Sequence, residues 1–401
     1  MSQIKTAGPI PLTMDNKKIT TTLLLSWALL TGQPQEAALL TGQPQERAIL
    51  TGQPQEPAPA QPAPAQQATI ASWPKVELHL HLDCSLGYNV VHQLDPTITP
   101  EAYNQQFVAP RVCTNLADYI ERADKAVALM QTQQALRLVT LNLFDQLKED
   151  HVIYAEIRFA PLKHLQKGLT PAQVVAAVDS AVGEGIQQTG IQAGIILCTL
   201  RHFTKEQSLQ TVRLAGQFRN SHVVGFDIAG DEAGYPIKNH IAAFSYANAH
   251  HIPCTAHAGE AAGSNSVWET LNSFHPTRIG HGVRSIEDPT LTRYLREENI
   301  LLEVCPTSNL QTNMYPDLAH HPVDKLYRQK VPLNISTDCR TISNTTLNNE
   351  YTKLARQFHW TKADFLATNL AAIDHAFTTI EIKARLKAEL LQGYGQAVQA
   401  P

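Results

Sequence analysis

The sequence predicts an α/β protein: a closed (β/α)8 barrel with a helical insertion after its first strand and a disordered, repeat-containing tail before it. Three observations predict it. From Lys75 onward, eight short apolar runs alternate with longer amphipathic stretches, the pattern of parallel strands joined by outer helices. The chain has 401 residues, ample for eight such units, which take about 250. The residues able to do chemistry fall at the C-terminal ends of the apolar runs, and in a closed barrel those ends converge on one mouth. Hydrophobic residues at 43% and charged residues at 17% are a globular balance whose core needs no disulfide. A formal net charge of −4 supplies no basic surplus for nucleic acid, so a small molecule is the expected partner. The sequence leaves the oligomeric state open.

Residues 1–70 read as a tail and 71–401 as the barrel domain. LTGQPQE occurs at Leu30–Glu36, Leu40–Glu46 and Leu50–Glu56, and PAPAQPAPAQQ follows at Pro57–Gln67. A Gly and a Pro in every repeat oppose a continuous helix, and the Pro-rich stretch favours an extended linker. Upstream, Met14-Asp-Asn-Lys-Lys precedes the apolar run Ile19–Leu30. A basic start and a short apolar run resemble a secretory signal, too short to span a membrane. Three consecutive threonines and the lack of a nearby small-x-small cleavage site weigh against it. A cytoplasmic protein without stable membrane insertion is expected. The six cysteines, Cys84, Cys113, Cys198, Cys254, Cys305 and Cys339, are widely spaced with no CxxC pair, which fits reduced thiols.

The expected strands are Val76–Leu82, Ile153–Phe159, Ala193–Leu200, Val223–Ile228, Pro253–Ala256, Arg278–Gly280, Leu301–Val304 and Pro332–Ser336. They are short and mostly bounded by Gly, Pro or polar turns. Helical patterns lie between most of them, at Ala172–Thr189, Lys205–Arg219, Ile237–His250 and Val267–Ser273. Ser85 to Val152 is a long gap holding two more, Leu116–Leu129 and Gln133–Glu149. Such an insertion after strand one would cover the mouth as a lid that excludes water.

Four local signals carry chemistry. Glu77-Leu-His79-Leu-His81-Leu-Asp83 sets both histidines on one face of a strand, since side chains alternate, and Asp83 one step nearer the mouth. Thr255-Ala-His257-Ala-Gly-Glu260 places His257 at a strand end. Glu260 follows where a loop begins, and burial there would keep its carboxyl protonated as an acid. Gly280-His281-Gly282 exposes an imidazole between two glycines, and Asn334-Ile-Ser-Thr-Asp338 ends the last strand on a carboxylate. One histidine is ordinary core. Four signals at one mouth are not, and His79, His81, His257 and Asp338 form a His3Asp set. Nitrogen and oxygen donors without thiolate suit one catalytic Zn2+ with a position open for water. His281 remains as base or electrostatic partner and Glu260 as acid, a hydrolytic kit. Cys198, Cys254, Cys305 and Trp268 read as core packing, Arg158 as an ion-pairing residue ordering the mouth, and His202 as ambiguous.

These pieces resemble the adenosine deaminase family from Lys75 to about Leu391. The matching segments are VELHLHLD at Val76–Asp83, EIRFAP at Glu156–Pro161, FDIAGDE at Phe226–Glu232, HAGE at His257–Glu260, GHGVRSIEDP at Gly280–Pro289, EVCPTSN at Glu303–Asn309 and STD at Ser336–Asp338. The resemblance implies a TIM-barrel fold and zinc-dependent deamination of adenosine, and of 2′-deoxyadenosine, to inosine and ammonia. It implies that Glu260 protonates purine N1, that His281 orients and helps deprotonate the attacking water, and that Asp338 contacts that water as well as the metal. It also implies that the Gly230 N–H meets N3 and that Asp83 faces the ribose. Two departures bear on substrate. Cys339 stands where many members have an Asp that contacts N7, and a thiol is a weak donor. Cys84 and Ser85 follow Asp83 where a Gly and a small residue are usual. Rival readings are a deaminase of another 6-aminopurine (aminodeoxyfutalosine, an N6-substituted adenine nucleotide or free adenine), for which Arg340 would be one candidate phosphate contact. A catalytically silent zinc-binding protein is another, and an interaction scaffold built on the repeats a third.

Overall fold

The computed structural model describes residues 69–395. The repeats, the Pro-rich linker and the apolar run at Ile19–Leu30 lie outside the described residues. Eight strands follow in order: β1 (Lys75–His81), β2 (Val152–Phe159), β3 (Gln192–Leu200), β4 (Val223–Ala229), β5 (Thr255–Ala258), β6 (Arg278–His281), β7 (Leu301–Val304) and β8 (Leu333–Ile335). Each matches its expected run to within two residues at either end. Neighbours in sequence pair in parallel, β1 to β4 and β5 to β8. Bridges between Phe226 and Cys254 and between Leu80 and Asp338 join the two halves, which closes the barrel. Among the described residues no helix is long and apolar enough to cross a membrane.

The outer helices start and stop where their sequences dictate. Thr170 and Gln173 form a capping box at the head of Pro171–Thr189, and Gly190 ends that helix with φ 81°, a value that suits glycine. Thr204 and Gln207 cap Lys205–Gln217 in the same way. The expected helix at Ile237–His250 is broken. A 3-10 turn covers Ile237–Asn239 and the helix proper is Ile241–Ala249. At the join the buried His240 ring bonds Ser208 Oγ at 3.0 Å and the Arg201 carbonyl at 3.1 Å, tertiary bonds that override helical propensity.

The insertion after β1 divides into parts with different roles. Of its helices, Leu116–Leu129 covers the mouth, whereas Gln133–Glu149 packs outside the barrel against Pro171–Thr189. Phe144 sits where Gly185 leaves room, since a Cβ on that glycine would lie 2.4 Å from the ring. Leu136, Val139, Leu143 and Leu147 are the buried stripe of this helix, and their three-and-four spacing is what an outer crossover helix needs. The lid expectation therefore holds for the first helix and is corrected for the second.

The barrel's inside is charged. Leu78 and Leu80 join the hydrophobic core, while Glu77 and His79 alternate with them, also buried. Arg158 on β2 pairs with Asp227 on β4 at 2.8 Å and Glu303 on β7 at 2.7 Å. Arg278 on β6 pairs with Glu156 at 2.5 Å and Glu303 at 2.8 Å. All five side chains are 0% exposed. Arg158 thus works in the barrel's interior, beneath the mouth it was expected to order.

Candidate active site

The strand ends bring the predicted residues together around one cavity of about 350 Å³. Its walls include His81, Asp83, Gly230, His257, Glu260, His281, Asp338 and Cys339. The ligand-type atoms of His79, His257, His281 and Asp338 all lie within 4.8 Å of one another. His81 joins through Nε2, 3.3 Å from His257 Nε2 and 3.4 Å from Asp338 Oδ1.

Two of these imidazoles are held from behind. His79 Nδ1 donates to Glu303 Oε2 at 2.8 Å, and His257 Nδ1 to Asp227 Oδ2 at 3.0 Å. These bonds fix the tautomers, so both Nε2 atoms turn their lone pairs inward. His79 Nε2 is fully buried with no hydrogen-bond partner, although Asp338 Oδ1 lies 3.5 Å away. An orphaned imidazole lone pair facing other donors fits a metal ion. Charge agrees. Against burial and the nearby Arg158, Asp338 and Glu303 raise the pKa of His79, so positive charge is favoured where the donors converge. Burial holds His81 neutral, pulling it down to about 3. Burial opposes the Asp338 charge, yet His79 and His81 beside it keep the carboxyl well below its usual range.

Glu260 has the opposite environment. It is 3% exposed, and burial, then Asp338 and Glu232, push its pKa well above the ordinary carboxylate value. That shift favours the protonated form of its carboxyl, which lies 3.6 Å from His281 Nε2. Glu232 holds the loop that carries it, accepting from the N–H groups of Gly259, Glu260, Ala261 and Ala262 and from the Ser266 hydroxyl, all within 2.9 Å. His281 and Asp338 have φ of 58° and 65°, a region where non-glycine residues are strained and usually over-determined by their surroundings. Val323 N–H donates to His321 Nδ1, leaving neutral His321 its proton on Nε2 for Asn309 Oδ1. The Asn309 amide then donates to His281 Nδ1 at 3.2 Å. His281 consequently carries its own proton on Nε2, facing the cavity.

The flanking residues divide. Gly230 lines the cavity with φ 100°, and a Cβ would find open space there except for Arg201 N at 3.6 Å. Backbone twist, not crowding, demands that glycine. Asp83 accepts from Ala160 N at 3.3 Å. Cys339 lies on the wall, its thiol 3.6 Å from Asp338 Oδ1 and beside Cys84. All six cysteines are free and buried. Cys198 is more than packing: it lines the cavity and sits 3.5 Å from Asp227. His202 lines the rim. Trp268 packs on Tyr294 and donates to Asp288. Arg340 is corrected outright. It is 3% exposed, does not line the cavity, and is paired with Glu77 and Asp150, so no charge is left over for a phosphate. The residues missed as supports, Asp227, Glu232, Glu303 and Asn309, all lie inside the quoted motifs. For Asp227 and Glu303, carboxylates within apolar strands were the signal that could have found them; Glu232 in the loop after β4 and Asn309 on the helix after β7 carried no such signal.

The chain is similar to known proteins over the whole barrel. The adenosine deaminase family model matches residues 74–392. An adenosine deaminase from Enterococcus faecalis is 34% identical over 335 residues, 82% of this chain and 99% of that protein. Among solved structures, a zinc-bound amidohydrolase from Burkholderia ambifaria is 22% identical with a TM-score of 0.78, covering 84% of this chain and 96% of its own, which shows the fold. An N6-methyl-AMP deaminase from Arabidopsis is 25% identical with a TM-score of 0.71, covering 80% and 99%. The match across the barrel makes this chain a hydrolytic deaminase that belongs to the adenosine deaminase family, and the His/Asp cluster beside the buried Glu260 fits it.

Proposed function

We propose that the protein hydrolyses adenosine, and 2′-deoxyadenosine, to inosine and ammonia with one zinc ion per chain. The observation that carries this is Glu260, its pKa raised by burial, facing the His/Asp cluster in one cavity at the barrel mouth. His79, His81, His257 and Asp338 would hold the ion. Zinc there supplies Lewis acidity and lowers the pKa of water toward about 7. Glu260 donates its proton to purine N1, which draws electron density from C6 and opens it to attack. His281, with its proton on Nε2, orients the attacking water by donating to its oxygen; Asp338 takes that water's proton as the C6–O bond forms, and its transfer to the 6-amino group lets the C6–N bond break and ammonia leave. Gly230 offers its N–H to N3, and Asp83 receives the ribose. The lid helix Leu116–Leu129 adds Leu116, Tyr119, Ile120 and Val127 to the wall, which keeps bulk water from the charge that develops.

The rim favours a nucleoside over a nucleotide. Glu121, Asp124 and Asp231 line the cavity, and Lys163, the one Lys or Arg on its wall among the described residues, lies 2.9 Å from Asp124. A dianionic phosphate would meet repulsion there. The test is a panel of adenosine, AMP and adenine offered to zinc-loaded protein. Adenosine turning over with the highest kcat/KM supports the proposal, and AMP or adenine ahead of it overturns the substrate.

A further inference from the structure

The first and last strands meet at a weak seam. β2 and β3 run in register through six residue pairs, whereas β1 is joined to the end of the β8 segment by an isolated bridge between Leu80 and Asp338, three residues past β8. The main-chain bonds there are His81 N to the Asp338 carbonyl at 2.8 Å and Asp338 N to the His79 carbonyl at 3.0 Å. Side chains complete the seam. Ser336 Oγ accepts from His79 N at 3.2 Å, and Glu77 accepts from Thr337 N at 2.9 Å and from the Thr337 hydroxyl. The candidate metal ligands straddle this seam, His79 and His81 on one side and Asp338 on the other. Asp338 is held there at φ 65°, so something outside its own backbone preference must fix the loop.

Arg340 lies two residues beyond. Its Nη2 donates to Glu77 Oε2 at 2.6 Å and its Nη1 to Asp150 Oδ2 at 2.8 Å, with every partner at most 3% exposed. Glu77 therefore grips the loop twice, through Thr337 and through Arg340. The next bonds run the same way: Arg340 N to Ser85 Oγ at 3.3 Å, Thr341 N to the Cys84 carbonyl at 3.0 Å, and Thr341 Oγ1 to the Leu86 carbonyl at 2.7 Å. Asp150 in turn accepts from Leu347 and Asn348 N–H, which anchors the clamp to the following helix. A planar guanidinium can join two separate carboxylates at once; a lysine is one point charge on a flexible stem.

We propose that Arg340 is a positioning residue for the metal centre: by clamping the loop after β8 to Glu77 on β1 and to Asp150, it sets where Asp338 stands relative to His79 and His81. The proposal rests on the reading of that cluster as a zinc site. Purified wild type, Arg340→Lys and Glu77→Gln are titrated with zinc against a competing chelator, and thermal midpoints are measured on the metal-free proteins. Supporting partners of metal ligands typically change affinity 10- to 100-fold. The expected result is folded variants whose zinc affinity falls by roughly that factor, with kcat at saturating zinc reduced and KM for adenosine little changed. Wild-type zinc affinity in a folded variant overturns it. So does failure of both variants to fold, or a loss of affinity that only tracks the fall in midpoint, since either makes the clamp a matter of stability alone. The zinc reading fails separately if wild type binds no zinc.

Discussion

Glu260 and Cys339 carry the sharpest expectations at the scale of single residues. Glu260→Gln should keep the fold and the zinc, because it is nearly isosteric and Glu260 is outside the proposed ligand set, but it loses a proton to donate. Its kcat should drop by roughly 10²–10⁴, and a kinetic assay showing near-normal turnover would falsify the acid role. The sign of the pH dependence follows. A group with a raised pKa is protonated below it and loses its proton as pH rises through it. Activity should therefore have an alkaline limb set by Glu260, absent from the residual rate of Glu260→Gln. An identical limb in both proteins would contradict the assignment. At position 339, burial pushes the thiol pKa well above its ordinary value, so it meets the base as a weak neutral donor. An aspartate there, beside Asp83 and Asp338, would stay protonated and donate to N7. Cys339→Asp should raise kcat/KM for adenosine by about fivefold, worth about 1 kcal/mol for one hydrogen bond. No change would show that the contact does not limit turnover. The ligand histidines and the acid were legible because each closes an apolar run. Asp227, Glu232 and Glu303 were not, because what they hold is set by packing between strands distant in sequence.

At the scale of elements, the lid is a single helix with unequal ends. Tyr119 in its first half bonds Ser343 Oγ at 2.7 Å, both buried. Its second half hangs on Gln131, which bonds the Val127 carbonyl at 2.7 Å, the Lys163 carbonyl at 3.0 Å and Gln166 N at 2.9 Å. The exposed pair of Lys163 and Asp124 adds little in water. Gln131→Ala should loosen the second half, so amide hydrogen exchange of Leu116–Leu129 quickens and KM for adenosine rises more than kcat falls. Unchanged exchange would place the tether elsewhere. The strand positions could be read directly, since parallel strands buried on both faces are short apolar runs. Helix roles were harder. Leu116–Leu129 and Gln133–Glu149 are both amphipathic, and periodicity does not say which surface an apolar stripe meets.

Across the whole molecule, the barrel spends its interior on charge instead of aliphatic layers. Two arginines tie β2, β4, β6 and β7 together beneath the cavity. Arg158→Ala would leave Asp227 and Glu303 buried and uncompensated. Breaking one side of a buried pair costs about 3–5 kcal/mol, so chemical denaturation should show a large loss of stability. A loss under about 1 kcal/mol, within reach of an exposed pair, would mean the network relaxes around the deletion. The repeats predicted from sequence lie outside the described residues. The proposed reaction requires zinc bound in this barrel and adenosine as its substrate. Its most direct test is to follow inosine formation by one preparation, first stripped by a chelator and then restored with one equivalent of zinc. No turnover is expected when stripped and full turnover when restored. Equal rates in both states, or no inosine from the zinc-loaded protein, would contradict it.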